Sequence, residues 1–162
     1  MDSHDHAECL EDTIAVFHFR DGYLFFFSKQ EFENEIKKGN ILEHTYIANR
    51  DTYYGTYKID LEDKLAKGYN IIVNPDIVGA KFYKKNYNAV TIFIKPESLD
   101  DLKKRLIKRD PDILDEELQK RLDNAEKEIK NDESFYDYSI INEEGKLSKA
   151  IAKTAEIIKK YL

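Results

Sequence analysis

"NIIVNPDIVGAKFYKKNYNAVTIFIKPESLDDLKKRLIKR", residues 70–109, is the stretch whose pattern decides the fold. Two short apolar runs alternate in it with two stretches of helical character. "NIIVN" reads as a buried strand ended by Pro75, which has no N–H to give a ladder. Asp76 stands where a helix cap belongs, ahead of "IVGAKFYKK". "AVTIFIK" is apolar along nearly its whole length, as strands covered on both faces are. Ser98 then caps "LDDLKKRLIKR", in which Leu99, Leu102 and Leu106 recur at helical spacing as an inward stripe.

Working outward, Asp110-Pro111 breaks that helix, and a longer one is expected from about Leu114 to Lys130, with Leu118, Leu122, Ala125 and Ile129 on one side. "YDYSIIN" is a last strand and "LSKAIAKTAEIIKKYL" a terminal helix. In the other direction, "DLEDKLAKG" (60–68) is a short helix stopped by Gly68. From Asp60 onward the order is therefore α-β-α-β-α-α-β-α. That order implies an α/β fold with a mostly parallel sheet flanked by helices. Further back, "TIAVFHF" (13–19) and "YLFFF" (23–27) read as a hairpin about Arg20-Asp21-Gly22. Ser28 opens a helix, with Glu31 placed for a capping box, and Gly39 closes it. "ILEHTYIANRDTYYGT" (41–56) makes two short strands around an "ANRD" turn. Its carboxylate, tyrosines and threonines form either the aromatic face of a hairpin or a polar cup for a small anion.

With 162 residues the chain is expected to form one domain, 13–162, behind a mobile tail at 1–12. The balance of 26 basic against 32 acidic residues gives −6, which argues against non-specific nucleic-acid binding and against an anionic membrane surface. Cys9 is the only cysteine, so no intrachain disulfide forms and a reducing, cytoplasmic setting fits. The apolar runs are strand-sized and far short of a membrane span. His4, His6 and Cys9 imitate a metal site, but they sit in an acidic tail without a fourth ligand, and no metal site is expected.

Taken in order, "SKQEFENEIKKGNILEH", "YYGT", "KGYNIIVNPDIVGAK", "AVTIFIKPESLDDLKKRL", "RLDNAEKE" and "YDYSIIN" resemble the guanylate kinases over roughly residues 22–160. The resemblance implies a P-loop-kinase-like fold with a small mixed GMP-binding-type subdomain (about 20–58) and helical lid (about 98–131). It implies transfer of the γ-phosphoryl of ATP to GMP, with ATP and Mg²⁺ as the family's cofactor set. By the same resemblance Glu43 looks like the carboxylate that reads guanine, because two carboxylate oxygens match two adjacent N–H donors. Tyr54 looks like a phenol for the GMP phosphate and Thr56 like the hydroxyl facing the base. Asp76 matches one acid of the segment that follows. Arg105, Arg109 and Arg121 look like the lid arginines that meet the transferring phosphates, the first two on one helix face. Asn142 resembles the asparagine that ends the last strand near the adenine pocket.

The departures bear on chemistry. Phosphoryl transfer rests on positioning and charge neutralisation, much of it from a G-x-x-x-x-G-K-[ST] loop. The glycines stand at 22, 39, 55, 68, 79 and 145, no two of them five apart, and Leu147 follows the single Gly-Lys pair. The first strand and P-loop of the family are thus missing or replaced. Where a serine and two arginines are expected for the GMP phosphate, "TIAVFHFRDG" offers only Arg20, and Leu24 replaces a tyrosine. Asn74 and Val78 replace an acid and a glutamine.

Three readings follow: a catalytically impaired relative that still binds GMP, a module that binds a phosphorylated or acidic protein partner, or the truncated product of an active guanylate kinase gene. Loss of a central strand is also expected to leave apolar surface on "IIVN" or "TIFIK", to be covered by "TIAVFHF" as a substitute strand or by a second subunit such as a homodimer partner.

Overall fold

The computed structural model describes residues 13–17, 24–47 and 52–162. The chain divides after Pro75 into two compact units.

The first unit is a four-stranded sheet with two helices. β1 (Thr13–Phe17) pairs antiparallel with β2 (Leu24–Ser28), from Thr13↔Ser28 to Phe17↔Leu24. α1 (Lys29–Lys37) follows directly, and it starts where it does because Ser28 and Glu31 cap each other. Ser28 Oγ accepts from the Glu31 amide at 3.3 Å, and Glu31 Oε2 accepts from the Ser28 amide at 2.8 Å. Gly39, at φ +74°, turns the chain out of the helix in a conformation that side chains resist. β3 (Ile41–Ile47) and β4 (Thr52–Tyr57) are antiparallel, α2 spans Lys58–Ala66, and the sheet order is β2-β1-β4-β3. Phe32 is fully buried between α1 and the sheet, against Ile41, with Phe27, Ile36, Tyr53 and Tyr57 around it. Burial of a side chain of this size contributes about 1.5–3 kcal/mol.

The second unit begins with Asp76, whose Oδ1 accepts from the Gly79 amide at 2.9 Å and caps α3 (Ile77–Tyr87). Asn88 ends that helix in the left-handed region, which asparagine tolerates better than most residues. β5 (Ile92–Pro96) pairs in parallel with β6 (Tyr138–Asn142). Between them run α4 (Leu99–Arg109), capped by Ser98, then α5 (Asp115–Asn131) and a single 3₁₀ turn at Glu133–Phe135. α6 (Leu147–Ile158) covers β6, with Ala150 and Ile157 against Ile140.

Two expectations are corrected. Residues 70–74 carry no strand, and Ile72 is 74% exposed rather than buried. A strand needs a hydrogen-bonded neighbour, and among the described residues neither sheet, β2-β1-β4-β3 or β5-β6, pairs with residues 70–74. "TIAVF" is not a substitute strand beside β5. Its backbone pairs with β2 and, in parallel through Phe17↔Thr56, with β4, because the hairpin folds it onto residues 24–28. The apolar surface expected on "IIVN" or "TIFIK" is present on both, with Ile72 and Ile94 exposed. The tail expected at 1–12, with its His4, His6 and Cys9, and the turns expected at Arg20-Asp21-Gly22 and "ANRD" fall outside the described residues.

Candidate functional site

β3 and β4 do not pair evenly. Ile41 stands opposite Tyr57 and His44 opposite Gly55, so Leu42 and Glu43 together face the single residue Thr56. Such a bulge bends its strand and re-aims a side chain. Here it brings Glu43 to Thr56, whose Oγ1 donates to Glu43 Oε1 at 2.9 Å. Thr56 is buried and Glu43 half-buried. The hydroxyl therefore orients one carboxylate oxygen, as a charge-assisted bond does strongly.

Strand alternation sorts the neighbouring tyrosines. Tyr53 belongs to the core face: its ring stacks on Phe32 with centroids 5.4 Å apart, and Tyr46 lies 4.9 Å from it on the outside. Tyr54 shares the parity of Thr56, stands opposite Thr45 and is half-buried. One tyrosine thus packs the hairpin, and the other lies on the face of the Glu43–Thr56 pair. The close approach of Gly55 to the opposite strand escaped the sequence reading, because the bulge has no local signature beyond the glycine itself.

In the second unit, Arg105 is held by two bonds: its Nε donates to Glu144 Oε2 and its Nη2 to the Asn142 carbonyl, each at 2.8 Å. Asn142 is the last residue of β6, so these bonds tie α4 to the end of that strand. Arg109, one turn further along α4, is exposed and has no ion-pair partner among the described residues. Arg121 donates through Nε to Glu117 Oε1 one turn back, at 2.8 Å. Asp76 caps α3 and sits near Glu128, whose carboxyl is pushed above its usual range by burial and then by the charges of Asp132 and Asp76. Among the described residues no group of three or more His, Cys, Asp or Glu is placed to hold a metal ion. None of the described helices is long and apolar enough to cross a membrane.

Residues 20–161 match the family model described as guanylate kinase. The chain belongs to the guanylate kinase family. It is similar to a guanylate kinase of Clostridium tetani, at 40% identity over 135 residues, covering 83% of this chain and 62% of that protein. A guanylate kinase of Helicobacter pylori is 43% identical over 134 residues, covering 80% and 63% of the two chains. In structure it resembles the guanylate kinase from Anaplasma phagocytophilum, with a TM-score of 0.66 and 25% identity over 92% of this chain and 74% of that one. The chain thus spans 62–63% of the length of these two sequence relatives. The likeness covers both units, and the α/β fold expected from the order of elements, kinase-like by the resemblance, is the fold of this family.

Proposed function

We propose that the chain binds GMP through a guanine-reading cup built on Glu43, Thr56 and Tyr54, and that by itself it converts ATP and GMP to ADP and GDP at a negligible rate. The observation that carries the reading is the 2.9 Å bond from Thr56 to Glu43 at the β3–β4 bulge. The Thr56 hydroxyl turns the Glu43 carboxylate in a set direction, and the N1–H and exocyclic amine of guanine are two parallel donors whose spacing matches a carboxylate. Adenine presents an acceptor in place of the N1–H and is rejected, because a buried polar group would be left without its partner. Tyr54, two residues before Thr56 on the same face, serves the GMP phosphate, and Asp76 is assigned to GMP by the family resemblance alone.

Arg105, Arg109 and Arg121 are assigned to the anionic phosphates and Asn142 to the adenine side. Their donor chemistry suits anions, and exposed Arg109 is the most available of them. The 162 residues hold no G-x-x-x-x-G-K-[ST] segment, so the cradle for the ATP phosphates and the Ser/Thr contact to Mg²⁺ do not fit this chain, and no step is routed through either. The GMP-binding part is assigned to about 20–58 and the lid to about 98–131, within a cytoplasmic protein. A second reading, a module for a protein partner or a second copy, is favoured by the exposed Ile94 and Ile141 on β5 and β6.

Calorimetric titration with GMP, and with AMP as control, tests the cup. Saturable binding of GMP but not AMP, lost in Glu43→Gln, is expected. Absence of GMP binding in a protein folded by circular dichroism would move the assignment to the partner-binding reading. GMP-dependent ADP formation that disappears in Arg109→Ala would overturn the claim of negligible turnover.

A further inference from the structure

The bulge that joins Glu43 to Thr56 is fixed on one side by the pair Ile41↔Tyr57, and that pair is held from outside the sheet. Glu35, near the end of α1, accepts from Asn40 Nδ2 at 2.6 Å and from the Tyr57 hydroxyl at 3.3 Å, both on Oε2. Asn40 precedes β3 and Tyr57 ends β4, and the Asn40 carbonyl accepts from the Lys58 amide at 2.8 Å. One carboxylate thus grips both strands on the closed side of the bulge. Its other oxygen, Oε1, takes Lys38 at 2.7 Å, from a lysine that is largely exposed.

We infer that Glu35 is a positioning residue for the guanine cup, acting through Asn40 and Tyr57 to hold the bulge in the register that sets Glu43 against Thr56. This rests on the reading of Glu43 and Thr56 as the cup. The physical reason is that a bulge is free to migrate along a ladder by one residue unless a flanking pair is fixed, and each one-residue step turns a side chain to the opposite face. Tyr57 points to the core face and Thr56 away from it, so Glu35 never touches the ligand. Its effect passes through strand register alone. Lys38 neutralises Glu35 but holds neither strand.

The test uses Glu35→Gln, Tyr57→Phe and Lys38→Met in the whole chain, with two readouts. The first is the Thr56 side-chain rotamer, read from scalar couplings by NMR without ligand. The second is GMP affinity by calorimetry. Glu35→Gln and Tyr57→Phe are expected to release Thr56 into rotamer averaging and to weaken GMP binding about fivefold, while Lys38→Met changes neither. In a Thr56→Val background, the loss of affinity caused by Glu35→Gln should shrink, since one of the two groups that the register brings together is gone. A Thr56 rotamer that stays single in both variants, or an undiminished Glu35→Gln effect in the Thr56→Val background, overturns the inference. Should the unaltered protein bind no GMP, the cup reading fails, and the rotamer experiment still decides the clamp: averaging supports it and a retained single rotamer sinks it. Tyr57→Phe keeps the ring that packs on Phe27, so it remains informative if Glu35→Gln unfolds.

Discussion

Gly55 leaves no room for a side chain beside Glu43: a Cβ built on it stands 2.7 Å from the Glu43 carbonyl oxygen and 3.0 Å from Ile41 Cγ2. Both atoms belong to the opposite strand at the bulge, one of them backbone, so the contact has no flexible end to yield. Gly55→Ala must therefore separate β3 from β4 at the point where Glu43 meets Thr56. The expected cost is about 1–3 kcal/mol of stability, the range for overpacking a well-filled position. Loss of GMP binding is expected to accompany it, beyond what the fraction unfolded explains. Urea unfolding followed with titration at a denaturant-free, fully folded temperature separates the two effects. An alanine variant of unchanged stability would mean that the strands part without strain.

The two arginines of α4 divide their work. Arg105 joins the helix to Glu144 and the Asn142 carbonyl, whereas Arg109 projects into solvent. Glu144 is largely exposed, so the ion pair itself is screened, and the bond to the carbonyl carries more of the effect. Arg105→Ala is expected to lower stability by about 1 kcal/mol. Arg109→Ala should change it by less than about 0.5 kcal/mol, as exposed substitutions do. Urea midpoints of the two variants check this. Equal midpoints would remove the anchoring role from Arg105 and return it to the same footing as Arg109.

Most elements of both units were legible because their ends are chemically marked. Ser28 with Glu31, Asp76 and Ser98 each begin a helix by accepting from an amide three residues on, and these are local events that spacing reveals. "NIIVN" failed for the opposite reason. An apolar run records what a strand buries, not whether a neighbour exists to pair with it, and residues 70–74 have no strand partner among the described residues. In the site, Glu43, Tyr54 and Thr56 were read from resemblance, but their shared face depends on two residues opposing one across a hairpin. That register is set by Glu35, Asn40 and Tyr57, whose side chains meet over separations of 5 and 22 residues, and no pattern along the chain announces it.

Asp137 ties the second unit together where β5 and β6 begin, and its protonation predicts an acid response. Its Oδ1 accepts from Lys84 Nζ at 2.7 Å, while Oδ2 accepts from the Thr91 amide at 2.9 Å and the Thr91 hydroxyl at 2.8 Å. The Lys84 bond first, then the Thr91 amide, lowers its pKa from 3.8 to about 2. A carboxyl with a folded pKa below its unfolded one stabilises the fold fully above about pH 4. That contribution drains away as pH falls toward 2, because the unfolded chain takes up the proton first. The side chain and Lys84 are each about one-third exposed, so solvent screening leaves a contribution on the order of 1 kcal/mol. Other carboxylates titrate in the same window, and Asp137→Asn isolates this one. The wild-type and Asp137→Asn stabilities should differ most near neutral pH and converge between pH 4 and 2, measured as urea unfolding at each pH. A difference that stays constant down to pH 2 would show that Asp137 acts by packing or neutral hydrogen bonding rather than by its charge.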